Sequence, residues 1–148
     1  MILITDTNIL YSALIKPEGQ VASVLKSKSN FQFFAPSYLF DELKEHWTEI
    51  ENATSLTKKE LKEEYEFYRS RIKVYEKTKI PNKTLLLAEE LVADIDPDDV
   101  YFVALHFLTN HKLWTSDTTL VKGLTKKGYE KMFVTTAQLK AKLYKKKK

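Results

Sequence analysis

Apolar and polar positions follow two different patterns along the chain. Short apolar runs at residues 2–5, 31–35, 112–116 and 131–135 are bounded by polar or turn-forming residues, which is typical of buried strands. Between these runs, apolar residues recur every three or four positions, which is the spacing of an amphipathic helix. The clearest series predicts one helix through Leu61, Tyr65, Tyr68, Ile72 and Tyr75.

Two further helical patterns lie in the same half of the chain. Ser37 is a good N-cap, and it precedes one apolar stripe formed by Leu39, Leu43, Trp47 and Ile50. Residues 100–108 are almost uniformly apolar and follow the start signal of residues 96–99, so we interpret them as a buried helix rather than a strand. The whole stretch from about residue 37 to 110 is therefore predicted to be helical.

Alternating strands and helices predict an α/β fold. We expect a three-layer α/β/α arrangement with a central, mostly parallel sheet of four to five strands, covered by helices on both faces. The helical stretch becomes an excursion between the second and third predicted strands. The 148 residues fit a single domain over residues 1–148, with a Lys-rich tail at 140–148.

The amino-acid composition excludes several kinds of site and several classes of protein. The chain has no Cys, which excludes disulfides and Cys-ligated zinc and favours a reducing compartment. No apolar run has the length of a membrane span, and no charged segment precedes the first apolar stretch. We therefore expect a cytoplasmic protein with no signal peptide and no membrane association.

The net charge of +4 belongs to the tail. Residues 140–148 hold six Lys and no acid, and the rest of the chain has 18 basic against 20 acidic residues. Such a tail can attract a phosphate backbone or an acidic partner, or it can be a solvated terminus.

Four acidic positions stand beside the predicted strand ends and helix starts. Asp6 and Asp117 directly follow the first and third predicted strands, Asp99 lies in the first turn of a helix, and Glu42 lies within about two turns of a helix start. Each has an ordinary structural explanation, since Asp caps helices and Glu is common on solvated helix faces.

The joint arrangement points to a metal. In a parallel sheet all strands end at one edge and the covering helices begin there, so the four side chains can converge on one crevice. Carboxylates this close raise one another's pKa unless a divalent cation binds them. Oxygen ligands favour Mg²⁺ or Mn²⁺ over zinc, and acid-bound Mg²⁺ is typical of phosphoryl chemistry.

Four segments in this order carry a resemblance: MILITDTNIL, APSYLFDEL, DPDDVYFVALH and LWTSDTTL. From Ile2 to about Leu124 the chain resembles the PIN-domain ribonucleases, a group that includes the VapC-type toxins of prokaryotic toxin–antitoxin systems. The resemblance implies a PIN-like fold and a Mg²⁺- or Mn²⁺-dependent endoribonuclease that leaves a 5′-phosphate and a 3′-hydroxyl.

The resemblance also implies roles for individual residues. Asp6 and Asp99 are expected to be the principal metal ligands, and Asp117 completes the metal shell or holds a second ion. Glu42 is expected to hold a second ion or to position and deprotonate the attacking water.

Three more polar residues follow from the same resemblance. Asp96 matches an additional acid in members that have a D-P-x-D segment, which makes it a further expected metal ligand. Asn8 and Thr115 match polar positions that we expect to bind substrate. The helical stretch from about Asn52 to Ala93 is longer than in the smallest members.

The expected partners are an RNA substrate, an antitoxin protein and a second copy of the chain. Lys side chains are the candidates for binding the phosphates of RNA. They are Lys16, Lys122, Lys126, Lys127 and those of the tail. The Tyr series at helical spacing could stack bases, but packing is the better interpretation.

Two other functions stay open from the residues. An aspartyl-phosphate phosphotransferase or phosphatase also places Asp at the end of the first strand, but it commonly has a second Asp where this chain has Asn8 and a Lys at a later strand end. A non-catalytic PIN-like domain that binds RNA or a partner would not need all four acids, which are present.

Overall fold

The computed structural model describes residues 1–147, with side chains described as far as residue 143. Within it, five parallel strands form one sheet in the order β3-β2-β1-β4-β5. The strands are β1 (Ile2–Thr5), β2 (Gln32–Pro36), β3 (Ile72–Tyr75), β4 (Lys112–Trp114) and β5 (Phe133–Val134). The predicted α/β class with a parallel sheet is confirmed.

Helices connect the strands and cover the sheet. They are α1 (Thr7–Ile15), α2 (Gln20–Lys26), α3 (Tyr38–Glu45), α4 (Trp47–Ala53), α5 (Lys58–Arg71), α6 (Asn82–Val92), α7 (Val100–Thr109), α8 (Thr118–Lys126) and α9 (Thr136–Lys147). Short 3₁₀ turns occupy Lys77–Lys79, Pro97–Asp99 and Glu130–Met132. The second of these leads directly into α7.

Strand β1 lies in the middle of the sheet. Its Leu3 pairs with Phe33 on one side and Lys112 on the other, and both Leu3 and Ile4 are fully buried. A central parallel strand is covered on both faces, which explains why its residues are apolar without alternation. The chain leaves this strand at the carboxyl edge of the sheet, where Asp6 begins α1.

The predicted helix through Tyr75 is wrong at its end. Helix α5 stops at Arg71, and Ile72–Tyr75 pairs with Phe33–Pro36 as edge strand β3. Ile72 and Val74 are β-branched, which favours a strand. The excursion between the second and third predicted strands is therefore not wholly helical.

The predicted helix from Leu39 to Ile50 is two helices that meet at His46. The prediction that Ser37 caps the helix is also wrong. Ser37 precedes α3, but its side chain makes no capping hydrogen bond to that helix. The Ser37 hydroxyl instead accepts a hydrogen bond from the backbone N–H of Lys77 at 3.2 Å, which ties α3 to the turn after β3.

Helix α7 is the buried centre of the core. Phe102, Val103, Ala104 and Leu105 are at most 1% exposed, and the helix packs on β1, β2 and β4. The prediction of a buried helix is confirmed, and the position of α7 brings its N-terminus to the carboxyl edge of the sheet.

Candidate active site

Strand ends and helix starts meet in one crevice of about 200 Å³ at the carboxyl edge of the sheet. Its lining is dominated by carboxylates. They are Asp6, Glu42, Asp96, Asp98, Asp99 and Asp117. Thr7, Asn8, His46 and Phe102 complete the lining. All five acids predicted from the sequence are therefore brought together.

Asp6 is held beneath the crevice. It is 2% exposed, its Oδ1 accepts from the backbone N–H of Ile9 at 3.0 Å, and its Oδ2 accepts from the Thr115 hydroxyl. Burial raises the pKa of Asp6 to about 7, although the hydrogen bonds from Thr115 and Ile9 act in the opposite direction. Asp6 is thus both the N-cap of α1 and a carboxylate with a perturbed pKa, so the structural and functional explanations do not exclude each other.

Asp99 has a buried carboxylate oxygen that no described residue satisfies. It is 8% exposed, and its Oδ2 is buried without a hydrogen-bond partner among the described residues. Burial, reinforced by the nearby charges of Asp96 and Asp117, raises the pKa of Asp99 to about 8. A buried polar atom with no partner is uncommon, which makes this oxygen a candidate ligand for a bound ion or ordered water.

Thr115 joins two acids across the sheet. Its hydroxyl donates to Asp6 and accepts from the backbone N–H of Asp117 at 3.0 Å. The Asp117 Oδ1 in turn caps α8 by accepting from Leu120 N at 3.1 Å. Substrate binding by Thr115 stays a prediction; the observed contacts of this buried side chain position the carboxylates.

Three carboxylates come close enough to share a cation. Asp96, Asp99 and Asp117 each offer an oxygen, and these oxygens lie within 4.8 Å of one another. The Asp96 Oδ1 also accepts from the backbone N–H of Asp98 at 3.0 Å, which holds the turn before α7. Asp6 lies outside this trio, and both of its oxygens accept hydrogen bonds.

Glu42 faces the trio from α3. The Thr7 hydroxyl donates to its Oε1 at 2.5 Å, and Glu42 is only partly exposed. Burial raises the pKa of Glu42, the bond from Thr7 lowers it, and the charge of Asp98 raises it further. Asn8 is exposed at the rim, which leaves its amide accessible.

The sequence prediction gave no role to Thr7 and no catalytic role to His46. Thr7 stands between Asp6 and Asn8, and its contact with Glu42 spans 35 positions of the chain. His46 follows Glu42 by four residues, a spacing that places two side chains on one face of a helix. That spacing was the available signal for His46, whereas no local signal indicated the partner of Thr7.

The predicted RNA-binding Lys residues lie in different surroundings. Lys127 donates to Asp94 Oδ1 at 2.6 Å and to the backbone oxygen of Leu91, so an acid already balances its charge. Lys16, Lys122 and Lys126 are exposed but do not line the crevice. The predicted tail falls in part outside the described residues, since side chains after residue 143 are not described.

The Tyr series packs rather than presenting rings for stacking. Tyr68 is fully buried, and Tyr65 meets Trp47 edge to face at 5.3 Å between ring centroids. No helix within residues 1–147 is long and apolar enough to cross a membrane.

Comparisons with known proteins show which family the chain belongs to. The family model for the PIN domain matches residues 4–138. The structure of VapBC2 from Rickettsia felis bound to a DNA fragment from its promoter contains a similar chain, with TM-score 0.62 and 15% identity over 91% of this chain and 97% of the other.

A second similar fold occurs in VapBC-1 from nontypeable Haemophilus influenzae, with TM-score 0.56 and 19% identity over 85% of this chain and 94% of that one. No curated protein matches the sequence. Because the family model covers nearly the whole chain and the acids converge at the strand ends, the chain belongs to the PIN domain family.

Proposed function

We propose that this protein is a divalent-metal-dependent endoribonuclease that hydrolyses RNA phosphodiester bonds and is the toxin component of a toxin–antitoxin system. One observation carries the proposal: the buried, unpartnered Oδ2 of Asp99 stands in a crevice where Asp96, Asp99 and Asp117 bring oxygens within 4.8 Å. Uncompensated carboxylates at this density cost free energy that a bound cation recovers.

The residues fit Mg²⁺ or Mn²⁺. The donors are carboxylate oxygens, which hard divalent cations prefer, and the described residues offer no thiol and no His within the trio. Asp96, Asp99 and Asp117 would hold the ion, with Asp6 below them as a ligand directly or through water. When bound, the ion supplies positive charge to the phosphate and lowers the pKa of an attacking water.

The chain's own residues supply positioning and proton transfer. Glu42, oriented by Thr7 and with a raised pKa, is suited to accept the proton of the water that attacks phosphorus. Attack with departure of the 3′-oxygen leaves a 5′-phosphate and a 3′-hydroxyl. Thr115 keeps Asp6 and Asp117 in register, and Asn8 at the rim contacts the RNA strand.

The similar structures support one of the proposed partners. Both similar structures contain VapB with VapC, which supports an antitoxin as partner of this chain. We also propose a homodimer and a cytoplasmic location, as the sequence predicts.

Product analysis tests the proposed chemistry. Purified protein with Mg²⁺ or Mn²⁺ should cut a structured RNA and leave 5′-phosphate ends, and EDTA should stop it. Asp6→Asn should abolish cleavage, whereas Asp41→Asn, which changes an exposed acid outside the crevice, should not. Products with 2′,3′-cyclic phosphate ends, or a phosphoenzyme trapped on Asp6, would reject the proposal.

Growth of a bacterial culture tests the toxin role separately. Expression of the chain alone should arrest growth, and co-expression of the neighbouring gene should relieve the arrest. If the culture grows normally although the purified protein is fully active as a nuclease, the protein is a ribonuclease but not a toxin.

A further inference from the structure

His46 stands on the crevice wall at the junction of two helices. Its backbone N–H donates to the oxygens of Glu42 and Leu43 at 3.2 Å each, which ends α3, and its own oxygen accepts from Ile50 N, which begins α4. The break holds the imidazole one helical turn beyond Glu42, beside the crevice. The side chain is 44% exposed and so remains accessible.

Two neighbours hold the imidazole ring in place. Its Nδ1 lies 3.3 Å from Glu49 Oε1, and the other Glu49 oxygen accepts from the Tyr11 hydroxyl at 3.3 Å. The Tyr11 ring also meets the imidazole edge to face, with centroids 6.3 Å apart at 89°. Glu49 can only accept, so Nδ1 donates to it. Nε2, which has no partner among the described residues, is left for a ligand, as an acceptor in the neutral ring and as a donor in the protonated ring.

The charge of the crevice indicates what that ligand is. Six acids line it, and His46 is the only described lining residue whose side chain can become cationic. Its nitrogens do not belong to the trio of Asp96, Asp99 and Asp117 that can share a metal ion. The six carboxylates repel a polyanionic strand, and a cationic donor at the wall, beside the proposed metal ion, offsets part of that repulsion.

We propose that His46 is a substrate-contacting residue, in which the protonated ring donates from Nε2 to a non-bridging phosphate oxygen of the RNA next to the scissile bond. Glu49 is a positioning residue that acts through His46, and Tyr11 holds Glu49. The inference rests on the proposed ribonuclease function and assigns part of its substrate binding.

Kinetics and binding test the contact. In His46→Ala, KM for a short RNA should rise about tenfold, the range of one charge-assisted hydrogen bond, with kcat changed by less than about threefold. His46→Gln, which keeps an N–H donor near the position of Nε2, should recover most of the loss. Thr48→Ala, an exposed neighbour on α4, is the control and should match the wild type.

Binding without turnover separates this inference from the proposed function. In the Asp99→Asn background, fluorescence anisotropy of a labelled RNA should show Kd about tenfold higher when His46→Ala is added. That result supports the contact even if the wild type cleaves nothing, which would reject the nuclease alone. Cleavage by the wild type with KM and Kd unchanged in His46→Ala would overturn the His46 inference alone.

Two further measurements distinguish a substrate contact by His46 from metal binding and test the positioning role of Glu49. Mn²⁺ affinity of the RNA-free protein should be equal in wild type and His46→Ala; a weaker affinity would make His46 a metal ligand and overturn the proposal. Glu49→Ala should raise KM severalfold in the wild type and not at all in His46→Ala, as expected for a residue that acts through the ring. Additive effects of the two substitutions would remove Glu49 from this role.

Discussion

Asp99→Asn should stabilise the metal-free protein at high pH, although it should abolish activity. The pKa of Asp99 is about 8 in the folded chain and 3.8 as the ordinary value. The folded state therefore retains a proton that the unfolded state releases, and stability falls as the pH rises from about 4 to 8. Asn carries no charge and escapes this loss.

The size of the effect follows from the shift. About four pH units at about 1.4 kcal/mol each give about 6 kcal/mol for a group that is only 8% exposed. The amide does not reproduce the contacts of a protonated carboxyl, which costs about 1–3 kcal/mol. The net gain at pH 9 is about 3–5 kcal/mol, or about 6–20 °C in Tm, and it falls to near zero at pH 5.

Urea unfolding of EDTA-treated protein at pH 5 and pH 9 measures this difference. Asp98→Asn is the matched control, since it removes the same charge from an exposed side chain one residue away and should change stability by less than about 0.5 kcal/mol. If Asp99→Asn is less stable than the wild type at pH 9, or if the difference does not depend on pH, the pKa of Asp99 is not raised in the folded protein.

Three other predictions test positioning and packing. Thr115→Val removes the donor to Asp6, so the pKa of Asp6 should rise above about 7; the acid limb of the pH–rate profile should move to higher pH, and a fixed limb would argue against this contact. Gly123→Ala would place a Cβ 2.5 Å from Ile95 Cδ1, so calorimetry should show a loss of about 1 kcal/mol despite the better helix propensity. Ile95→Ala, which removes the Cδ1, Cγ1 and Cγ2 atoms that the new Cβ would meet, should turn the same change into a gain; a loss in both backgrounds would mean that the clash is elsewhere. Thr57→Ala breaks the capping box of α5 and should cost about 1 kcal/mol in urea unfolding, and no loss would show that the cap is dispensable.

The sequence pattern predicts the strands of this fold where burial leaves no alternative. Leu3 and Ile4 are apolar because a central strand is covered on both faces, and the same rule locates β2 and β4. The pattern fails at Ile72 and Tyr75, whose spacing continues the helical series of α5. Pairing with β2 decides that segment, and this contact is invisible to local periodicity.

The candidate site also contains some residues whose role the sequence predicts and others whose role it does not. Asp6 and Asp117 are predictable because Asp6 directly follows β1 and Asp117 lies three residues past the end of β4, at the common edge of the sheet. The hydroxyl of Thr115 is bonded to Asp6 across 109 positions of the chain, so its role depends on tertiary packing. The break at His46 is equally hidden, since the apolar stripe from Leu39 to Ile50 continues across it.

The initial rate of RNA cleavage during a Mn²⁺ titration of EDTA-treated protein tests the central claim most directly. We expect no cleavage without the ion and a saturable rise for the wild type. Asp99→Asn should be at least about a thousandfold slower, the loss expected when several kcal/mol of metal stabilisation is removed. Equal cleavage in EDTA, or an Asp99→Asn variant as fast as the wild type, would contradict the central claim.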